Sequence, residues 1–212
     1  MFDGILFDLD GTLWDATETI CAAWNSALEC HPEIRRPAVT VAEIRTCMGM
    51  LLPDIAAKLI PELSPQGRLD FVEEYRVTAE PYIAAKGGLL YPHVAETLAA
   101  LAELAPLYLV SNCQNGYIQG FFEAYPVGQY FAGTECAGNT GLPKGENIAL
   151  VVARSRLKHP IYIGDTILDY SAAQQAGVPF LHAAYGFGQV DQVPAVACFA
   201  DIPAALTRLS PP

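Results

Sequence analysis

Residues Phe2 to Trp14 read FDGILFDLDGTLW, and the fold follows from this stretch. Ile5, Leu6, Phe7 and Leu9 form a short apolar run, with Asp3 and Gly4 before it and Gly11 after it. A continuous apolar run bounded by turn residues is the pattern of a strand buried on both faces. Two carboxylates, Asp8 and Asp10, stand at its end, separated by one residue. Side chains two positions apart share one side of an extended chain. Their charges repel there, so a cation, a shared proton or a lysine must hold them together. Gly11 lets the backbone turn sharply, and Thr12 offers a hydroxyl and an amide. Asp-Gly alone marks any turn; Asp-x-Asp-Gly-Thr at the mouth of an apolar strand is far more specific.

From Asp15 to about Lys86 the pattern is helical and offers no strand. Ile20, Ala23, Trp24, Ala27 and Leu28 recur at helical spacing over Thr17 to Cys30. In TVAE, Thr40 caps a helix with Glu43 as its box partner; that helix runs to Met48 and stops at Gly49. A third helix spans Asp54 to Ile60. A longer one starts at Ser64-Pro65 and kinks at Pro81. This predicts four short helices as a small insertion, residues 15–86, between core segments 1–14 and 87–212. Its weak linkers and hinges fall near Asp15 and at Gly87-Gly88.

From Leu89 onward, helices alternate with strands. Strands are predicted at Leu107 to Val110, Pro160 to Ile163, Val178 to Leu181 and Val196 to Phe199. Phe131 to Gly141 reads as loop. The alternation argues for a doubly wound parallel α/β sheet, whose ligands sit beyond the carboxyl ends of the strands. Three strands end in polar pairs: Asp8 with Asp10, Ser111-Asn112, and Gly164-Asp165. Parallel strands gather these ends at one edge. Lys144 opens a helix after Pro143, and GDTILD places Asp169 about one helical turn after Asp165. Carboxylates with one lysine and one hydroxyl make a hard, oxygen-rich site suited to Mg²⁺ and a phosphate. Singly, Ser111 reads as a turn cap, Lys144 as a solvated helix residue, and Asp165 and Asp169 as helix N-terminal acids.

The ordered set DLDGT, Ser111, Lys144 and GDTILD resembles the haloacid dehalogenase (HAD) superfamily from Phe2 to about Leu181. The helical block after the first motif is similar to that family's C1-type cap, and the core to its Rossmann-type core. The resemblance implies a Mg²⁺-dependent phosphatase acting through an aspartyl-phosphate. Asp8 is then the nucleophile and Asp10 the general acid/base. Ser111 and Lys144 hold the phosphoryl group, helped by the amide of Asn112 and by the Gly11-Thr12 turn. Asp8, the backbone carbonyl of Asp10 and Asp165 hold the metal, with Asp169 acting through water or from behind. Gly49 and Met50 form a cap loop over the site, or else a plain interhelix turn. The cap segment RTCMGMLLPDIAAKLIPE and Tyr185 to Gly188 resemble the phosphoglycolate phosphatase-like group. A β-phosphoglucomutase-like phosphotransferase is the alternative, with Arg35, Arg36 and Arg45 as candidate sugar-phosphate ligands. A phosphonatase would need a cap lysine, Lys58 or Lys86. A non-catalytic interaction protein on the same fold would be expected to lack Asp8 or Asp10.

Composition sets the outer bounds. The 212 residues are 52% hydrophobic and 17% charged, ample for a core and wrong for disorder. A net charge of -11 argues against nucleic acid and anionic membrane as partners and leaves a small phosphorylated metabolite, reached through a cation and lysine. Tyr170 to Val190 carries too many polar residues to span a bilayer. Cys21, Cys30, Cys47, Cys113, Cys136 and Cys198 show no metal spacing and read as reduced thiols. With no basic-then-apolar segment at the start, the expectation is a cytoplasmic protein, monomer or homodimer.

Overall fold

In a computed structural model that describes residues 2–209, the apolar run becomes a strand, β1 (Gly4–Phe7), with every residue buried. A two-residue strand β2 (Trp14–Asp15) leads into four helices: α1 (Thr17–Glu29), α2 (Val41–Arg45), α3 (Leu52–Leu59) and α4 (Pro65–Lys86). The chain returns through β3 (Leu89–Leu90) and α5 (Val94–Ala102) to β4 (Leu107–Ser111) and α6 (Tyr117–Ala124). Next come β5 (Phe131–Cys136), α7 (Ala137–Thr140), α8 (Lys144–Arg154), β6 (Pro160–Gly164) and α9 (Ile167–Ala176). The fold ends with β7 (Phe180–Ala183), β8 (Ala195–Val196) and α10 (Ile202–Leu209).

Six strands pair in parallel in the order β5-β4-β1-β6-β7-β8. Alternation along β1 explains why it is apolar throughout. Ile5 and Phe7 pack on one face with α5, α6 and α10, through Leu98, Phe121 and Ile202. Leu6 packs on the other with α8 and α9, through Ile148, Val151 and Ala173. Because β4 and β6 flank β1, the carboxyl ends carrying Ser111, Asp8 and Asp165 lie side by side.

The helices α1 to α4 have a core of their own. Trp24 lies against Tyr75 (ring centroids 4.7 Å apart) and Phe71 (5.3 Å), among Ile44, Leu59 and Val72. The Thr40–Glu43 capping box forms as the sequence predicts: Thr40 Oγ1 accepts from Glu43 N (3.2 Å), and Glu43 Oε2 accepts from Thr40 N (2.8 Å). That helix stops at Arg45, and a turn carries the chain to Gly49 at φ +81°. The fourth helix is not short: α4 runs 22 residues, continuous through Pro81. At the base of this block β2 and β3 form an antiparallel ribbon, Trp14 opposite Leu90 and Asp15 opposite Leu89. Two residues per strand leave no periodic signal, so the sequence shows only linkers there.

The loop expected at Phe131 to Gly141 is instead β5 followed by α7. This is the outermost strand, half-exposed, and its FAGTEC sequence lacks the apolar run of a central strand. It is anchored by Glu135, whose Oε2 accepts from Arg154 (2.6 Å) and Oε1 from Asn139 (2.8 Å). Among the described residues no helix is long and apolar enough to cross a membrane.

Burial alone would raise the pKa of Glu135, but its bonds from Asn139 and Arg154 outweigh that and hold it below the ordinary 4.5. The folded chain thus binds this proton less readily than the unfolded one. The stabilisation is present above the unfolded pKa and is lost as pH falls through the lower folded one. Glu135→Gln should lower stability by about 1 kcal/mol at pH 7, discounted for the partly exposed Arg154. In urea titrations the gap to wild type should close as the pH drops below 4.5.

Candidate active site

At the end of β1, Asp8 leaves the sheet buried, with its amide bonded to Ile163 O (2.8 Å). Its Oδ1 lies 2.8 Å from Lys144 Nζ. The same ammonium donates to Asp169 Oδ1 at 2.6 Å. Lys144 is only 3% exposed, so it is no solvated helix residue. Burial pulls the ammonium pKa down, but the charges of Asp169 and Asp8 outweigh this and hold it above the ordinary lysine range. Asp169 is held low by the same lysine and by Thr166, against the effect of burial. It is also the N3 residue of a capping box: Oδ2 accepts from Thr166 N (2.9 Å) and Oγ1 (2.6 Å). One side chain thus closes the helix cap and holds Lys144.

Asp165 precedes the true N-cap, Thr166, and is fully buried. Its Oδ2 accepts from the Phe187 amide at 2.7 Å, while Oδ1 has no hydrogen-bond partner. Burial, then the charges of Asp169 and Asp8, raise its pKa well above the ordinary value. Carboxylate oxygens of Asp8, Asp165 and Asp169 lie within 4.8 Å of one another. Three buried carboxylates against one lysine, with one oxygen unpartnered, fit a hard divalent cation.

Asp10 departs from a simple four-carboxylate cluster. Its Oδ1 accepts from Trp14 Nε1 (2.9 Å) and from the Tyr117 hydroxyl (2.8 Å), so its carboxylate stands apart from the other three. Burial pushes the Asp10 carboxyl up to about 7, against the Tyr117 bond and with the help of Asp8.

Asp8, Asp10, Ser111, Asn112, Gly49 and Met50 all line one cavity of about 60 Å³ between the helical block and the sheet. Asn112 Nδ2 donates to Gly49 O at 2.8 Å, tying that loop to the end of β4. Gly49 is thus more than an interhelix turn. Ser111 Oγ accepts from the Cys113 amide at 3.3 Å. Gly11 and Thr12 do not line the cavity. Gly11 sits behind it at φ +85°, where a Cβ would lie 2.2 Å from Asp165 Oδ2. Thr12 O accepts from the Tyr185 hydroxyl (2.9 Å). Gly186 lies equally tight: a Cβ there would meet Asp165 Cβ at 2.3 Å and Gly11 O at 2.4 Å.

Several residues of the site escaped the sequence reading. Tyr117 joins Asp10 across 107 positions, and the Phe187 amide joins Asp165 across 22. Only the GFG run around Phe187 offered a signal. Trp14, at i+4 from Asp10, was within the opening motif but reads equally well as core.

A haloacid dehalogenase-like hydrolase family model matches residues 5–183, and the chain belongs to that family of enzymes. It is 28% identical over 210 residues to the phosphoglycolate phosphatase of Escherichia coli K12, covering 87% of this chain and 82% of the relative. The phosphoglycolate phosphatase of Yersinia pseudotuberculosis is 26% identical over 192 residues, with the same coverage. Among solved structures, a predicted phosphatase from Clostridium acetobutylicum superposes with a TM-score of 0.84 at 19% identity, over 99% of this chain and 100% of its own. A predicted phosphoglycolate phosphatase from Haemophilus somnus gives 0.79 at 24% identity, over 96% and 97%.

Replacing Lys144 with Met leaves Asp8 and Asp169 buried without their shared counter-charge. It should cost about 3–5 kcal/mol in urea unfolding measured with chelator present. Added Mg²⁺ should recover part of that loss.

Proposed function

We propose that this enzyme is a Mg²⁺-dependent phosphatase that hydrolyses a small phosphate monoester through a phosphoaspartyl intermediate on Asp8. The observation that carries this reading is the Lys144 ammonium held between Asp8 and Asp169, in a carboxylate cluster where an Asp165 oxygen lacks a partner. The similarity to phosphoglycolate phosphatases supports the phosphomonoester class.

Asp8 attacks phosphorus, forming an acyl-phosphate as the bond to the leaving oxygen breaks. Asp10, pushed up to about 7, has a proton available near neutrality and delivers it to that oxygen. Deprotonated Asp10 then takes a proton from water, which attacks phosphorus and frees Asp8. The Ser111 hydroxyl, the amide after it and Lys144 hold the phosphoryl oxygens as charge builds on them. Asp8, Asp165 and the Asp10 carbonyl would hold Mg²⁺, with Asp169 fixing Lys144 behind them. The ion, when bound, neutralises charge between these carboxylates and the phosphoryl oxygens. We assign residues 15–86 the part of a lid, hinged at the β2–β3 ribbon, that limits water during the first step.

The mutase alternative needs cap cations facing the site. Arg35, Arg36 and Arg45 do not line the cavity. Arg36 bonds to Leu59 O and Glu43, and Arg45 to Asp15 (3.4 Å).

Phosphate release from a panel of small monoesters should require Mg²⁺ and stop on addition of chelator. Asp8→Asn should abolish it. Acid-quenched wild type, analysed by peptide mass spectrometry, should carry one phosphoryl group on the peptide containing Asp8. Turnover that persists in Asp8→Asn would refute the mechanism.

A further inference from the structure

Asp10 is held by two neutral donors from different parts of the chain. Trp14 Nε1 and the Tyr117 hydroxyl both donate to the same oxygen, Oδ1, at 2.9 and 2.8 Å. Trp14 belongs to β2, and Tyr117 opens α6, soon after Ser111 ends β4. Both side chains are buried, and their rings meet edge to face with centroids 5.7 Å apart. Phe121 packs edge-on against Trp14 at 4.9 Å. Close packing of this kind leaves neither donor room to swing away.

A carboxylate oxygen has two acceptor sites, and on Oδ1 these two donors fill both. Among the described residues, the hydrogen bonds of the Asp10 side chain all fall on Oδ1. Asp10 and Tyr117 also line the cavity that holds Asp8 and Ser111. A proton carried by Asp10 therefore has one place to sit, Oδ2, and that oxygen is the one free to meet a substrate.

Resting on the phosphatase reading, we propose that Tyr117 is a positioning residue for the proton-transfer step. By holding Oδ1 together with Trp14, it aims Oδ2–H of Asp10 at the leaving oxygen. In the first half-reaction the Oδ2–H bond breaks and its proton passes to that oxygen, which keeps the electron pair of the broken P–O bond. The negative charge left on the carboxylate is shared with Oδ1, where both donors stabilise it. In the second half-reaction Oδ2 takes a proton from the attacking water as the bond between Asp8 and phosphorus breaks. Tyr117 gives up no proton in either step and acts through Asp10.

The nature of the leaving group separates this role from a merely structural one. An alkoxide needs a proton as it departs, whereas the acetate released from acetyl phosphate does not. Tyr117→Phe keeps the ring against Trp14 and removes only the hydroxyl. With Mg²⁺, kcat/KM should fall at least about tenfold for the alkyl ester best hydrolysed in the panel above. For acetyl phosphate it should change by less than about threefold. Slower hydrolysis of the phosphoaspartyl intermediate, common to both substrates, follows the transfer to Asp8 and leaves kcat/KM unaffected. In an Asp10→Asn background, Tyr117→Phe should change kcat/KM for the alkyl ester by less than about twofold, since nothing remains for it to position. Equal losses for the two substrates, no loss for the alkyl ester, or additive losses in the double variant would overturn the inference and leave the phosphatase reading standing. Folded, Mg²⁺-loaded wild type that hydrolyses neither substrate would overturn both.

Discussion

One buried ammonium organises the catalytic end of this molecule. Lys144 is placed by the start of α8, and the groups it binds come from β1 and α9. Two carboxylates brought this close out of water would otherwise repel and take up protons. With Lys144 between them, Asp169 is held ionised and Asp8 is held in place. The arrangement also leaves the cluster of three carboxylates two positive charges short when all are ionised. Asp165 stays high and keeps an oxygen without a donor, so the same constraint that fixes the fold here leaves a place for a cation.

Around that centre the supporting groups divide the carboxylates by role. Asp165 is gripped by the Phe187 amide and crowded by Gly11 and Gly186, which allows it little movement. Asp10 is turned aside by Trp14 and Tyr117. Two aspartates a single residue apart thus end in different environments, one against an ammonium and one against neutral donors. That difference is the one the proposed roles of nucleophile and acid/base group call for. The opposite wall is built by different physics. It comes from helices whose own core is apolar, so the cavity joins a charged floor to a roof that includes the side chains of Trp24 and Tyr75. Asn112 couples the two through Gly49.

Much of the sheet was legible because central parallel strands are buried on both faces and must be apolar, while their ends must carry the polar chemistry. The ends at Asp8, Ser111 and Asp165 stand out against such runs. β5 did not, because an edge strand is half-exposed and tolerates Ala, Gly, Thr and Glu. The β2–β3 ribbon is too short for any period to register. Thr40 and Glu43 announced their capping box since both partners lie within one turn. Tyr117 could not announce its bond to Asp10, because nothing local links positions so distant.

The sequence by itself determined the class of fold, the order of its central strands and main helices and the set of groups at the strand ends, since each depends on local periodicity and on short motifs. Only the tertiary structure decided how those groups are shared: which carboxylates Lys144 binds, which one Tyr117 turns away, and which helical side chains face the site rather than the cap's own core. Trp24 and Tyr75 look like any buried aromatics in the chain. What makes them the roof of a cavity is the docking of one packed unit on another, and that is a property of surfaces that no local pattern encodes.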